Sequence, residues 1–523
     1  MYASMTTGGQ LGESEGTSFL FRPAGFVLLI LALQAVHVAL RPVLTATVGT
    51  DDVDQLFFAQ SLAAGYSYEQ TPLYTWITWL AVQAFGPTVF TVGLVKYALV
   101  FGIHVFTYFA GRQVLADPRL QVVAGLSPMT FYPIGWRLHE ADTYGILATV
   151  CMMALVWAAL RLLRERRLLH YLALGAALGL GLLSSGYFGI GALALLLALL
   201  AAPQGWRLWL HWGFGLALLV AAVIVSPYAY WLYEHWAPLL ERAQAILQDY
   251  QSPERLNPGW LRALKALIAF VLATFPFWVC FFILFYYSLR PLPPGTVKED
   301  AVGRVLWAYL PLTVAGFVAA AVVLQIHSID NYRVYPATVP FALLFFWRLE
   351  RFGLKPASMR WTWVLFALLI VVVVQARFQH IEAGPAFCKV CRMQAPYPDV
   401  AQHLREQGYA GGGTILAGDN YVAGNFRVAF PDTRIVTSHY PEVVPPSSAG
   451  TGPCLVIWHE DMRKLDRRLF EQYIAEHGIS LPPMQDIPLR SFEVPHTPRL
   501  AGLPNREIRM RYVLSQQPLG TCG

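Results

Sequence analysis

Eleven apolar stretches dominate what this chain can fold into. They fall near residues 24–41, 88–111, 119–135, 143–162, 169–184, 187–202, 212–227, 264–289, 305–325, 336–347 and 361–377. A helix of about 20 apolar residues crosses the hydrocarbon core of a bilayer, so the series reads as membrane spans, several of them short or tilted. With 56% hydrophobic and 13% charged residues among 523, the chain is too apolar for an ordinary soluble protein. The net charge of +6 is then a matter of membrane topology, and no nucleic-acid partner is expected.

Alternate connections are basic: Arg112 and Arg119; Arg161, Arg164, Arg166 and Arg167; Arg207; Arg290, Lys298 and Arg304; Arg348, Arg351, Lys355 and Arg360. By the positive-inside rule these are cytoplasmic. Residues 1–22 form a polar, Gly-rich tail without the pattern of a cleavable signal peptide, and this tail is expected in the cytoplasm. The loop at 42–87 then lies outside. An odd number of spans puts everything after residue 377 outside as well.

Past Arg377 the composition becomes that of a soluble domain. Short β-rich runs at 414–416, 434–437, 454–458 and 507–513 alternate with helical ones at 397–407 and 461–477, the rhythm of a small α/β domain over 378–523. Cys388, Cys391, Cys454 and Cys522 all fall in this region, as suits an oxidising compartment. The Cys388–Cys391 pair reads as a structural disulfide, and Cys454 and Cys522 can form a second. A zinc site is less well supported because no second pair with metal-site spacing occurs, and a thioredoxin motif would follow a strand rather than sit in a Gly/Pro-bearing linker.

The outer loop at 42–87 holds three carboxylates in four positions, Asp51, Asp52 and Asp54. If Asp51 opens a helix, it shares a face with Asp54, while Val53, Leu56, Phe57 and Ala64 form an apolar stripe that would lie flat on the bilayer. Simple capping is the competing account: Asp51 as N-cap, with Asp52 and Asp54 complementing the helix dipole. From Gln70 the chain restarts into a second amphipathic segment carrying Tyr74, Trp76 and Trp79.

Three further outer segments carry charge. Arg137, His139, Glu140 and Asp142 precede the fourth span, where an aspartate is costly unless it faces water, a partner or a helix end. Residues 226–263 include Tyr228 and Arg242, in a segment that is either a surface helix or the lining of a polar site. Arg333, at 327–336, has the fixed guanidinium geometry that suits a phosphate, although interfacial snorkelling would also place it there. No P-loop and no G-x-G-x-x-G in a strand–helix context occurs, so energy for chemistry must arrive with the substrate.

Gly49, Asp51, Asp52, Asp54 and Gln55, followed by Gln70, Thr71, Pro72, Leu73, Tyr74, Thr75 and Trp76, resemble the first outer loop of polyprenyl-phosphate-sugar-dependent glycosyltransferases of the GT-C superfamily. The members most similar are bacterial relatives of protein O-mannosyltransferases and of the lipid A aminoarabinose transferase. Their pattern runs G-x-D-E-A-E-Q, then Q-P-P-L-Y-T-W, so Asp replaces Glu twice here and Thr replaces the first Pro. The segments at 388–393, 417–432 and 453–460 also look like the periplasmic domain of this group.

The resemblance implies a transmembrane catalytic domain over 23–377 and a periplasmic α/β domain over 378–523. It implies a glycosyltransferase of the bacterial inner membrane that moves a monosaccharide, with inversion, from a polyprenyl (undecaprenyl) phosphate to a periplasmic acceptor such as lipopolysaccharide, lipid A or another glycan. Asp51 is then the expected base and Asp142 the second acidic residue, with Glu140 its rival because the family pattern is shifted by one. Asp52, Asp54, Gln70, Tyr74, Arg137, Glu140, Tyr228, Arg242 and Arg333 are candidates for binding substrate. If a divalent cation such as Mg or Mn takes part, Asp51, Asp54 and Asp142 are its candidate ligands. The Lys that many relatives carry in the turn at 184–186 is missing. A transporter or lipid-linked sugar flippase is the alternative from another class; it would show ionisable groups near mid-membrane and two related halves.

Overall fold

The computed structural model describes residues 19–67, 70–139, 141–203, 205–237, 258–286, 300–326, 329–352, 356–387, 393–446, 452–462, 464–494 and 507–516. The N-terminal part is helical: α1 (Pro23–Leu44), α2 (Thr50–Phe58), α3 (Leu73–Phe85), α4 (Val89–Val114), α5 (Pro118–Leu126), α6 (Tyr132–Gly135), α7 (Tyr144–Arg164) and α8 (Leu168–Leu182). It continues with α9 (Phe188–Ala198), α10 (Trp206–Trp209), α11 (Trp212–Glu234), α12 (Gly259–Phe285), α13 (Ala301–Val323), α14 (Asn331–Thr338), α15 (Phe341–Phe352) and α16 (Pro356–Phe387). The starts follow local chemistry. Thr88 accepts the Thr91 N–H at 3.1 Å to cap α4, and Asp300 accepts the Gly303 N–H at 2.7 Å to cap α13.

Seven helices among the described residues are long and apolar enough to cross a membrane, namely α1, α4, α7, α11, α12, α13 and residues Ser358–Phe378 of α16. Shorter apolar helices run over Leu168–Leu182 and Phe188–Ala201. The chain is thus a multi-pass membrane protein. Two of the eleven expected spans are broken. The stretch at 119–135 divides into α5, a 3-10 turn at Ser127–Thr130 and α6, because Pro128 and Pro133 each remove a backbone donor and reset the helix start. The stretch at 336–347 divides into α14 and α15 around Val339 and Pro340. The span expected to stop at 227 instead runs through Pro227 to Glu234, so Tyr228 belongs to α11 and not to an outer segment.

Close helix packing explains the Gly- and Ala-rich run. A Cβ on Gly175 would stand 2.3 Å from the Ala217 carbonyl oxygen, and one on Gly179 would stand 3.0 Å from the Cα of Ala221. Helices α8 and α11 therefore touch backbone to backbone, as small residues permit in a bilayer.

The C-terminal part builds α17 (Tyr397–Glu406), β1 (Thr414–Ala417), α18 (Asn420–Ala429), β2 (Arg434–Thr437), β3 (Cys454–His459), α19 (Lys464–Glu476), β4 (Arg490–Glu493) and β5 (Glu507–Ser515). The sheet order is β2-β1-β3-β5-β4, with β1 parallel to β2 and β3, and β5 antiparallel to β3 and β4. Alternate residues of β1 and β3 serve two cores. Ile415, Ala417, Leu455 and Ile457 face a core shared with Phe57, Phe58 and Tyr66 of the outer loop, while Leu416, Val456 and Trp458 face Phe470 of α19. The four expected strands and two expected helices form; α18 and β4 have no counterpart among the expected elements.

Cys454 is disulfide-bonded, and the other described cysteines, Cys151 and Cys280, are free. Its partner therefore lies outside the described residues, as do Cys388, Cys391 and Cys522.

Candidate active site

Helix α2 begins at Thr50, one residue before the first carboxylate, and its N-cap position is Gly49. Asp51 is therefore no cap. Its Oδ2 accepts the backbone N–H groups of Asp142 at 2.8 Å and Thr143 at 3.2 Å, ninety-odd residues further on. Asp142 adopts φ +70°, a left-handed conformation that Asp tolerates better than most residues but that still costs about 1–3 kcal/mol. Its Oδ1 accepts the Gly145 N–H at 3.1 Å, so Asp142 does cap the first turn of α7. A Cβ at Gly145 would stand 2.6 Å from both that oxygen and the Tyr335 hydroxyl. Only glycine leaves them room.

The next carboxylate has a different fate. Asp52 is buried between Arg41 of α1, whose Nη2 is 3.1 Å from Oδ2, and Lys96 of α4, whose Nζ is 3.0 Å from Oδ1. It ties α2 to two spans and has no free face for substrate. Asp54 is occupied too: Oδ2 accepts Gln70 Nε2 at 3.0 Å and Oδ1 accepts Asn420 Nδ2 of α18 at 2.7 Å. Gln70 in turn accepts the Tyr144 hydroxyl, and Gln55 donates to the same phenol oxygen while accepting Thr75 Oγ1 at 2.9 Å. Of the three carboxylates, Asp51 alone points toward the second acidic residue.

The expectation of a helix lying flat on the bilayer is corrected here. Val53, Leu56, Phe57 and Phe58 are fully buried, and α2 ends at Phe58, before Ala64. The apolar stripe is covered by α3, α4 and the C-terminal domain instead of lipid.

Around Asp51 the hydrogen-bond network is incomplete. Thr143 Oγ1, the Tyr74 hydroxyl and Arg137 Nε are buried without a hydrogen-bond partner among the described residues, while the Tyr335 hydroxyl interacts with the Asp142 carboxylate. Asp52, Asp51 and Asp142 all act electrostatically on Tyr74, and burial followed by these three charges pushes its phenol well up. Buried polar atoms left open are costly, so a group of them at one place marks a ligand site. Burial also pushes up the Asp51 carboxyl, against the nearby Lys96 ammonium and with Asp52 adding to the rise. Asp142 is raised to about 7 by burial and then by Asp51.

A divalent cation finds no ready cage. Asp52 and Asp54 are committed to other partners, and among the described residues no three His, Cys, Asp or Glu side chains converge as metal ligands. The set Asp51, Asp54 and Asp142 does not fit an ion.

A cleft of about 590 Å³ is lined by Arg137, Lys265, Ile268, Ala269, Leu272, Ile329, Asp330, Asn331 and Tyr332; neither Asp51 nor Asp142 lines it, and Arg137 is its link to Asp142. The Arg137 guanidinium lies over the Tyr332 ring at 4.6 Å and lowers the Asp142 carboxyl electrostatically. One wall is the apolar face of α12, which also supplies Lys265. This lysine is not among the expected site residues, although a charge in the first turns of an apolar span is a signal in itself. Arg333 turns elsewhere: its Nη1 donates to the Tyr187 hydroxyl at 2.9 Å and its Cζ stands 5.1 Å from that ring. Tyr228 is buried on α11 and stacks on Trp231 at 6.0 Å. Neither lines the cleft. Glu140 and Arg242 lie outside the described residues.

Residues 69–231 match the dolichyl-phosphate-mannose-protein mannosyltransferase family. Two curated proteins of Rhizobium johnstonii, named lipopolysaccharide core galacturonosyltransferases RgtA and RgtB, are each 27% identical over 82% of this chain and 86% of their own length. Among solved structures, ArnT of Cupriavidus metallidurans, bound to undecaprenyl phosphate, superposes with a TM-score of 0.53 at 14% identity, over 95% of this chain and 99% of its own. Its apo form gives 0.54 over 94% and 98%. At that identity the likeness shows the fold. The family match over residues 69–231 and the two curated relatives along most of the chain agree with that fold, and the chain is a glycosyltransferase.

Proposed function

We propose that the chain transfers a single sugar from a polyprenyl phosphate to a lipopolysaccharide-type acceptor at the outer face of the bacterial inner membrane. The observation that carries this reading is the hold of Asp51 on the backbone of Asp142 and Thr143, with Arg137 linking Asp142 electrostatically to a cleft that is apolar along α12 and carries Arg137, Lys265 and Asp330. Arg137 and Lys265 would take the phosphate while the apolar face of α12 takes the first isoprenoid units. The curated relatives' names make a galacturonosyl donor and a core-oligosaccharide acceptor the first pair to try.

The chemistry is one displacement. As the acceptor oxygen bonds to the anomeric carbon, Asp51 accepts its proton, the bond from that carbon to the phosphate oxygen breaks, and the phosphate leaves with the electron pair. Configuration at the carbon inverts. A carboxyl raised toward neutrality by burial is a better base than an exposed one. The two backbone N–H groups on Oδ2 leave Oδ1 of Asp51 without a hydrogen bond from them and hold the carboxylate in orientation. Arg137 and Lys265 offset the charge that grows on the leaving group.

The Asp51 loop and the C-terminal sheet pack against each other, so they lie on one side of the bundle. Eleven crossings, with the short and broken helices counted, would put that side in the periplasm if the tail at 1–22 is cytoplasmic.

Purified protein in nanodiscs, given polyprenyl-phosphate galacturonic acid, aminoarabinose or mannose and rough lipopolysaccharide, should modify the acceptor with one of the three. Asp51→Asn should lower that rate by about 10²–10⁴-fold with the melting temperature unchanged, since an amide cannot take the proton. Full activity in Asp51→Asn would overturn the base assignment, and ATP- or gradient-driven movement of the lipid without transfer would favour a flippase.

A further inference from the structure

Nothing in the proposed chemistry requires the C-terminal domain, yet it bonds the chain just before, within and just after the helix that carries Asp51. Asn425, buried on α18, brackets Val48: its Oδ1 accepts the Val48 N–H at 2.9 Å and its Nδ2 donates to the Val48 carbonyl at 3.1 Å. Val48 lies three residues before Asp51. At the other end of α2, Gln60 repeats the pattern on Ile435, donating to its carbonyl at 3.1 Å and accepting its N–H at 2.9 Å. Between them Asn420 donates to Asp54. Gly424 permits the approach, since a Cβ there would stand 2.4 Å from the Cα and carbonyl oxygen of Val53.

A helix of nine residues is too short to persist by itself; isolated helices below about 12–15 residues are marginal in water. Helix α2 must be held from outside, and the bundle holds one side of it, through Asp52, through Asp51 on the backbone of Asp142 and Thr143, and through Gln55 on Tyr144 and Thr75. From these contacts we infer that the C-terminal domain is a positioning clamp for the catalytic helix, with Asn425 and the Ile435 backbone, which Gln60 grips, as its two jaws and Gly424 the contact that sets the distance. The clamp reaches past α2 as well. Asn420 bonds Asp54, Asp54 bonds Gln70, and Gln70 takes the hydroxyl of Tyr144, the first residue of α7, two positions after Asp142. The domain therefore fixes both acidic residues relative to each other. This inference rests on the reading of Asp51 as the base. A displacement of about 1 Å in a reacting group can cost about 10²-fold in rate.

The test is Asn425→Ala, with Gln60→Ala as a second variant in case the first does not fold, each compared with the unaltered full-length protein in nanodiscs. Two quantities are read: kcat and KM for the lipid-linked donor, and amide hydrogen exchange over residues 50–58. The expected result is a fall in kcat of tenfold or more, KM within twofold, and exchange over 50–58 at least tenfold faster while α4 and the sheet strands keep their protection. A domain that serves only stability would lower the folded fraction and leave kcat per folded molecule unchanged. That outcome overturns the clamp, as does unchanged exchange over 50–58. If the unaltered protein transfers no sugar from any donor, the proposed function has failed, and the exchange measurement still decides whether the clamp exists.

Discussion

The two sides of α2 are built on opposite terms. Toward the C-terminal domain every named polar group is matched, with Asn425 on Val48, Gln60 on Ile435 and Asn420 on Asp54. Toward α7 and the loop before it, Thr143 Oγ1, Arg137 Nε and the Tyr74 hydroxyl are buried and open. Matched polar groups fix structure, and open ones wait for a ligand. One helix thus separates the part of the molecule that holds from the part that acts.

Exchanging Asp51 and Asp52 for Asn in turn separates the two sides of α2 most strongly. Asp52→Asn leaves Arg41 and Lys96 buried with no counter-charge between them, and removal of one partner from a buried ion pair costs about 3–5 kcal/mol. Thermal unfolding in detergent should therefore show Asp52→Asn as the less stable variant by many degrees, whereas Asp51→Asn should melt with the unaltered protein and lose its chemistry. Equal melting temperatures for the two variants would mean that the ion pair contributes nothing, and the division of roles along α2 would fall.

How far the sequence itself shows this division can be traced residue by residue. Apolar run length reveals the long spans because burial in lipid leaves a direct mark on composition. It misreads 119–135 and 336–347, where Pro128, Pro133 and Pro340 interrupt runs that remain apolar. The loop motif carries Asp51, and the place of Asp142 before a span carries the second acid. The partners of Asp52 are hidden, since Arg41 and Lys96 sit 11 and 44 residues away on two different helices and no local pattern links them. Asn425 is hidden for the same reason at 377 residues. Lys265 is legible as one of two charges, with Arg262, in the first turns of an otherwise apolar helix, a signal that the charge bias of the loops does not contain.

A smaller effect separates the sides by pH. Burial raises the Asp54 carboxyl to about 7, against the hydrogen bonds from Asn420 and Gln70 that favour its charge. A folded-state value above the unfolded one means that the folded protein binds the extra proton between about pH 4 and 7. Stability is then greatest below the unfolded value and is lost as pH rises through the folded one. The loss can reach a few kcal/mol, since each tenfold difference in proton affinity between the two states corresponds to about 1.4 kcal/mol. Asp54→Asn should flatten the melting temperature between pH 5 and 8. Because Asp54 bonds to α18, the loss should appear first as faster proteolysis between the bundle and the C-terminal domain. A melting profile in Asp54→Asn that still falls with pH as steeply would assign the dependence to Asp142 instead, which burial also raises to about 7.

The smallest expected effect tests where the acting side ends. Arg333 is a sequence candidate for the phosphate, but its guanidinium donates to the Tyr187 hydroxyl and lies against the rings of Tyr187 and Tyr332 at 5.1 and 5.5 Å. Arg137 meets Tyr332 from the cleft side and keeps an open Nε. The aromatic ring of Tyr332 thus stands between a cation with partners and a cation without a complete set. Tyr187→Phe removes one hydrogen bond to a charged donor and keeps the ring under the guanidinium, so it should cost about 1–2 kcal/mol of stability and change the donor KM by less than twofold. Arg137→Gln removes the cation proposed to hold the leaving phosphate and should raise KM about tenfold or more, since charge-assisted contacts of this kind contribute about 1.5–3 kcal/mol. A tenfold rise in KM for Tyr187→Phe would move the phosphate to the Arg333 side of Tyr332. The cleft lined by Arg137 and Lys265 would then receive the acceptor.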